Sequence, residues 1–253
     1  MTVYDPAQFG GGTLSCDAIN CVFNTSQCVS FVLTGNVKAA LTGNNISGVS
    51  VSIQDQAGIE FGSDTTDSNG NFTVGNLGSN SDYKIVIIAA EYKEGGKSHY
   101  SLSGDQSIQL YMLPYGWTGA AAIILRWGAT PKDLDSHLVF GGTEIWYNNG
   151  NIDKEQDPVN GAQLDLDDTN KDGPETITIM VPVVGINYQY YVQDYTHCDD
   201  GTSGSGATTA GASVQVWNQN AELVGDEYTS PGAGCRWEVF NMTIDVDKNI
   251  TIL

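Results

Sequence analysis

Short runs in which apolar and polar residues alternate cover most of this chain, and glycine, asparagine, aspartate and serine separate the runs. Examples are VSVSIQD (Val49 to Asp55), YKIVIIAA (Tyr83 to Ala90), AAIILRW (Ala121 to Trp127), ETITIMV (Glu175 to Val181) and ASVQVWN (Ala212 to Asn218). A period of two puts alternate side chains on opposite faces of a strand, whereas an amphipathic helix needs a period near 3.6. Almost no stretch supplies the helical period. Many short strands with frequent turns imply sandwiches or barrels. LPYGW (Leu113 to Trp117) reads as a connector. The expected layout is a cysteine-containing N-terminal arm over 1–30, a first β domain over 31–114 and a second over 115–253. The glycine- and serine-rich stretch 199–212 reads as a flexible loop.

Charge narrows the partners. Thirty acidic residues face ten basic ones, a net charge of −20. Nucleic acid is excluded as a partner, because binding it relies on lysine and arginine neutralising phosphate. Anionic membrane surfaces are disfavoured for the same reason, and cations are the natural counter-species. No apolar run approaches the length of a membrane span. Met1 is followed directly by polar residues, so a mature or trimmed chain is expected.

The five cysteines, Cys16, Cys21, Cys28, Cys198 and Cys235, include no C-x-x-C pair, which argues against a zinc ribbon. Their placement suits disulfides in an oxidising compartment. A bridge between Cys198 and Cys235 would tie the base of the flexible loop to the next strand. The odd total leaves one thiol free or bonded to another chain. Asn24, Asn45, Asn71, Asn241 and Asn249 head N-x-S/T sequons and are candidate glycosylation sites.

In the first domain, Gly35 opens a strand, Gly48-Val49-Ser50-Val51 follows a loop, Thr66-Asp67 precedes Gly70 and Phe72, and Leu77 and Tyr83 lead into an apolar strand. This arrangement resembles the carboxypeptidase regulatory-like domain, a transthyretin-like β-sandwich. The resemblance implies an accessory module. No peptidase part accompanies it. The physics agrees: Asp67 to Gly70 forms a tight turn in which Asp67 accepts backbone N–H groups and Gly70 takes a positive φ.

The second domain carries Trp127, Pro131, Asp133, Leu134, Asp135 and His137, then Leu164, Asp165, Asp167, Asp168, Thr169, Gly173, Pro174 and Glu175. These two runs resemble an uncharacterised β domain of secreted bacterial proteins, often found beside regulatory-like or Ig-like modules. The resemblance implies a β-rich fold and no particular chemistry. The expected fold class is therefore all-β: two consecutive antiparallel β-sandwiches, transthyretin-like or Ig-like, preceded by an extended arm.

The acidic residues of that domain point to a cation. Asp133 and Asp135 are two apart, as are Asp165 and Asp167, so each pair is expected on one face of a strand. Converging carboxylates repel unless they are protonated or bridged. Calcium meets that need with six to eight oxygen ligands. Asp168, Asn170 and Asp172 with Gly173 fit the first half of a calcium loop. Ile179 stands where an EF-hand needs a bidentate glutamate, so an EF-hand is excluded. The expected site is a calcium loop between two strands, closed by Asp133 or Asp135, with Glu175 as a further candidate. The competing expectation is that aspartate and asparagine only cap a solvated turn. DVDKN (Asp245 to Asn249) and DSNGN (Asp67 to Asn71) pose the same choice.

Catalytic constellations are not evident. Ser136 adjoins His137, but neighbours on a strand face opposite ways. H-E-x-x-H, G-x-S-x-G and a phosphate loop are missing. The expected protein is an extracellular or cell-surface structural or adhesive subunit, not an enzyme. It would assemble with copies of itself through the arm and be stabilised by calcium and disulfides. The alternative is a calcium-dependent module that binds a surface carbohydrate or protein. Aromatic residues such as Trp146, Tyr188, Tyr190, Tyr191, Tyr195 and Trp217 would supply its face.

Overall fold

The computed structural model describes residues 15–16, 23–24, 30–149, 161–171, 173–198, 211–225, 227–232 and 234–253. Most of the expected arm and of the 199–212 loop thus lies outside the described residues. The chain divides into two compact units. Unit 1 comprises Met1–Ala39 and Asn44–Tyr115, and unit 2 comprises Ala40–Gly43 and Gly116–Leu253. No helix among the described residues is long and apolar enough to cross a membrane.

Unit 1 begins with a short antiparallel pair, β1 (Ser15–Cys16) and β2 (Phe23–Asn24). Its sandwich is built from β3 (Phe31–Ala39), β4 (Ser50–Gln54), β5 (Glu60–Thr65), β6 (Asn71–Leu77), β7 (Asn80–Ile88), β8 (Gly95–Leu102) and β9 (Gln106–Met112). One sheet runs β6-β3-β9 and the other β5-β4-β7-β8. The alternation seen in the sequence becomes burial: Val51, Ile53, Phe72, Val74, Ile85 and Ile87 all face the shared core. One feature departs from the antiparallel expectation. β3 and β9 pair in parallel, with Gly35 opposite Ile108. Parallel neighbours need a long crossover, and here the intervening strands supply it.

Gly35 has a packing reason. A Cβ there would lie 2.4 Å from the Ile108 carbonyl oxygen and 2.5 Å from the Phe72 ring. The ring therefore covers the bare backbone of β3. We expect Gly35→Ala to destabilise unit 1 by about 1–3 kcal/mol, as overpacking of a closed core does. Urea denaturation of the variant beside the wild-type chain measures this.

Unit 2 contains β10 (Ala121–Arg126), β11 (Asp135–Phe140), β12 (Thr143–Ile145), β13 (Ala162–Leu166), β14 (Glu175–Ile179), β15 (Tyr188–Gln193), α1 (Tyr195–Cys198), β16 (Ser213–Asn218), β17 (Tyr228–Thr229), β18 (Arg236–Ile244) and β19 (Ile250–Ile252). A 3-10 turn spans Tyr147–Asn149. The two sheets run β13-β14-β10-β16-β17 and β12-β11-β15-β18-β19, antiparallel throughout. Ile123, Leu125, Ile177, Val214 and Val216 of the first sheet meet Leu138, Phe140, Tyr190, Phe240 and Met242 of the second. Both units are β-sandwiches, as the alternation predicts. Within unit 2, β11 opens and β14 opens at the same end of the sandwich, one in each sheet. That coincidence builds the site.

Candidate metal centre

Asp133 and Asp135 lead into β11, and Glu175 is the first residue of β14. Glu175 shares its inward face with Ile177 and Ile179, because the strand alternates. Its carboxylate is therefore carried between the sheets, where it is fully buried. Its Oε2 accepts the backbone N–H of Ser136 at 2.7 Å. One oxygen from each of Asp133, Asp135 and Glu175 lies within 4.8 Å of the others. Oxygens on one calcium ion, at 2.3–2.6 Å each, can be no more than about 5 Å apart.

The polar inventory does not close around these groups. Asp133 Oδ1, Asp135 Oδ2, Asp167 Oδ1 and Glu175 Oε1 are buried and accept no hydrogen bond. Asp133, Asp135 and Glu175 are 8%, 3% and 0% exposed. Buried polar atoms are nearly always satisfied, so four orphaned carboxylate oxygens in one place require an explanation. Their electrostatics agree. Burial pushes the Asp135 carboxyl up to about 8, with Asp133 and Asp167 adding repulsion. Burial pushes Asp133 up to about 6, with Asp167, Asp168 and Asp194 adding to it against Lys132. Burial and the charges of Asp135 and Asp167 hold Glu175 well above the usual carboxylate range. Without a cation the cluster must hold protons, and Glu175 shares one with Asp167 in a side-chain hydrogen bond; a hard divalent cation would replace those protons.

Other candidates are placed differently. Asp165 does not share a face with Asp167. The β13–β14 ladder shifts register between Leu164 and Leu166, so the strand does not keep its period of two there. Asp165 Oδ1 instead takes the amide of Gln163, and the side chain lies beside Thr178; its Oδ2 is also buried without a partner, but Asp165 is not in the group of carboxylates whose oxygens converge. Burial still pushes it up to about 6. Asp167, just past the end of β13, is among the charges acting on Asp133, Asp135 and Glu175. Asp168 Oδ1 accepts the backbone N–H of Asn170 at 2.8 Å, and Asn170 itself is exposed. The DTNKDG segment thus contains turn chemistry at Asp168 and Asn170, while Asp172 lies outside the described residues.

DSNGN and DVDKN also resolve as turns. Asp67 Oδ1 accepts the N–H groups of Asn69 and Asn71, each at 2.8 Å. Asp245 Oδ1 accepts those of Asp247 and Asn249 at 2.9 and 2.8 Å. Asp55 and Asn218 make the same pair of bonds in two further turns. The fourth residue takes a positive φ in every case: Gly58, Gly70, Ala221 and Lys248. Those N–H groups hold the Asp67 carboxyl below the usual range, and the Asn249 side chain and N–H do so for Asp245. A carboxyl with a depressed folded pKa stabilises the fold above its unfolded value, and the effect fades as pH falls through the folded one. Asp67→Ala and Asp245→Ala should therefore lower the melting temperature at pH 7, equally with and without calcium, and the loss should shrink below about pH 4. A calcium-dependent loss would restore these turns as metal loops.

The cysteines and sequons divide similarly. Cys198 and Cys235 form a disulfide across a sequence separation of 37. Cys21, Cys28 and the side chains of Cys16 and Asn24 lie outside the described residues. Asn45, Asn71, Asn241 and Asn249 are all exposed. The histidines pair with carboxylates: His99 with Asp82, His137 with Glu144 and His197 with Asp194. His137 stacks against Tyr191 and Trp146 on the face opposite Ser136, whose hydroxyl meets Tyr190 in the core. Burial lowers the His137 pKa. Tyr188, Tyr190 and Trp217 are interior residues and present no open aromatic face. Asp194 is a fully buried carboxylate that sequence spacing did not single out. It follows β15 and accepts the His197 ring Nδ1 at 2.9 Å.

Residues 32–111 match the carboxypeptidase regulatory-like domain. Apart from Ala40–Gly43 the match falls in unit 1, and it leaves the carboxylate cluster outside it. No curated protein matches the chain. Among solved structures, the chain overlaps a type II cohesin–X–dockerin complex from Acetivibrio cellulolyticus at 19% identity and TM-score 0.28, covering 35% of this chain and 60% of that one. It thus spans less than two thirds of that chain. It overlaps BcpA, the major pilin subunit of Bacillus cereus, at 10% identity and TM-score 0.31, covering 81% and 69%. A DUF3823 family protein from Parabacteroides merdae gives 15% identity and TM-score 0.28, covering 81% and 98%. Overlaps this loose carry no argument about function.

Proposed function

We propose that this chain is a non-catalytic structural or adhesive subunit of an extracellular surface, and that calcium staples its second sandwich. The observation that carries the reading is the set of four buried carboxylate oxygens without partners, from Asp133, Asp135, Asp167 and Glu175. Ligands this deeply buried suit an ion that holds two sheets together. An ion that bridges to a carbohydrate or protein would need an open coordination position at the surface, so the calcium-dependent binding module is the weaker reading. The Cys198–Cys235 bridge and the charge of −20 fit an oxidising, extracellular setting.

Assembly with copies of itself is the finer part of the proposal. The arm over 1–30 would add a strand to a neighbour's sheet edge, and its unpaired cysteine would be available for a bridge between chains. Negative-stain electron microscopy of the full chain in calcium is expected to show polymers, which a chain lacking the arm should not form. Monodisperse particles from both would contradict assembly and leave the calcium site standing. Calorimetric titration of calcium into the full chain tests the ion site itself.

A further inference from the structure

One side chain grips the Asp133 backbone on both sides, while the neighbouring Lys132 carbonyl accepts the Lys171 N–H at 3.0 Å. Thr196 Oγ1 accepts the backbone N–H of Asp133 at 2.8 Å and donates to its carbonyl oxygen at 3.2 Å. The backbone N–H of Thr196 approaches the same carbonyl at 3.4 Å. Thr196 lies in α1, a single turn of helix. A helix this short has no stability of its own. Its order comes from its ends. Asp194 precedes it, buried, accepting the His197 ring Nδ1 at 2.9 Å and the Cys198 N–H on its carbonyl oxygen at 3.0 Å. Cys198 closes the turn, and its sulfur is bonded to Cys235. The Asp194 N–H in turn donates to the Cys235 carbonyl oxygen at 2.8 Å. An unbroken chain of bonds thus runs from the disulfide through α1 to the backbone of a proposed ligand.

We infer that Thr196 is the positioning residue through which the Cys198–Cys235 bridge sets the calcium affinity of the carboxylate cluster. The inference rests on the calcium reading above. With the bridge intact, α1 fixes Asp133 where its carboxylate meets those of Asp135 and Glu175. Reduction by a dithiol transfers two electrons and two protons to the bridge, leaving two thiols while the dithiol becomes a disulfide. The turn then loses its anchor, and ordering Asp133 must be achieved at the expense of ion binding. Linkage makes the effect reciprocal: calcium should make the bridge harder to reduce by the same factor that the bridge tightens calcium.

The test is calorimetric titration of calcium into the full chain, oxidised and dithiol-reduced, for the wild type, Thr196→Val and Thr196→Ser. Groups that orient metal ligands typically alter affinity by roughly 10- to 100-fold. Reduction of the wild type should weaken binding by about that factor. Thr196→Val should weaken it similarly with the bridge intact, and reduction should then add little. Thr196→Ser keeps the hydroxyl and should restore both the affinity and its redox dependence, which a general loss of packing would not. Equal affinity in oxidised and reduced wild type, or a Thr196→Val chain that binds normally, overturns the coupling while leaving the calcium site intact. An oxidised wild type that binds no calcium overturns both.

Discussion

Calcium should raise the melting temperature of the metal-free chain, and the gain should grow between pH 5 and pH 8. The reason lies in the raised carboxyls. Without a cation, Asp133 is pushed up to about 6 and Asp135 up to about 8, with Glu175 raised as well. An acid whose folded pKa exceeds its unfolded value stabilises the fold fully below the unfolded value, near pH 4. That stability is lost as pH rises through the folded value. The metal-free chain should therefore lose on the order of several kcal/mol between pH 4 and pH 8, at about 1.4 kcal/mol per pH unit for each group in the affected window. Calcium needs the deprotonated ligands, so its binding strengthens over the same window. A hundredfold excess over the dissociation constant contributes about 2.7 kcal/mol. The chelated chain is thus expected to melt higher at pH 5 than at pH 8, and calcium should remove or reverse that slope.

Glu175→Gln sharpens the result. It keeps an acceptor for the Ser136 N–H and removes one buried ionisable group. At pH 8 without metal the variant should melt above the wild type, because folding no longer has to bury an acid that sits well above its usual range beside Asp135 and Asp167. With calcium it should melt below the wild type, because a ligand is gone. A cluster that served only as turn chemistry would produce no such crossing. Thermal melts of the two proteins at two pH values, each with calcium or a chelator, contain the whole comparison.

The second large effect is at the bridge. Replacing both Cys198 and Cys235 by serine opens a loop closed across 37 positions. The chain-entropy estimate for a loop of that size is about 4 kcal/mol. Urea unfolding of the double variant under chelation should show a loss of that order. In calcium the loss should be larger, since the coupling through Thr196 adds to it, and a loss identical in both conditions would argue against that coupling. Dithiol-reduced wild type should reproduce the variant.

The alternating runs foretold the strands well, because burial on one face of a sandwich enforces a period of two. They said less about the β3–β9 parallel pair, whose partners lie far apart in sequence with no local signal. In the candidate site, Asp133 and Asp135 stood out from their spacing, and the fold brings them to Glu175. Asp165 was misplaced by the same spacing argument, because the register shift beyond Leu164 breaks the alternation on which it depended. Glu175 was a candidate ligand that spacing could not separate from a residue at a strand edge. Its burial follows from β14 being an inner strand, flanked by β10 and β13. Asp168 matched a calcium-loop pattern and is spent on a backbone N–H. Aspartate in a turn and aspartate on a metal share a local sequence, and orphaned oxygens that also converge separate them. Thr196 and Asp194 gave no signal at all, since their roles depend on a disulfide and a neighbouring strand.

The central claim is that the orphaned carboxylates are cation ligands. Calorimetric titration of calcium into the metal-free, oxidised chain at pH 7.5, in parallel with Glu175→Gln, tests it most directly. The account predicts saturable binding by the wild type and little or none by the variant. A wild type that releases no binding heat and melts identically with and without chelator, or a variant that binds calcium as tightly as the wild type, would contradict it.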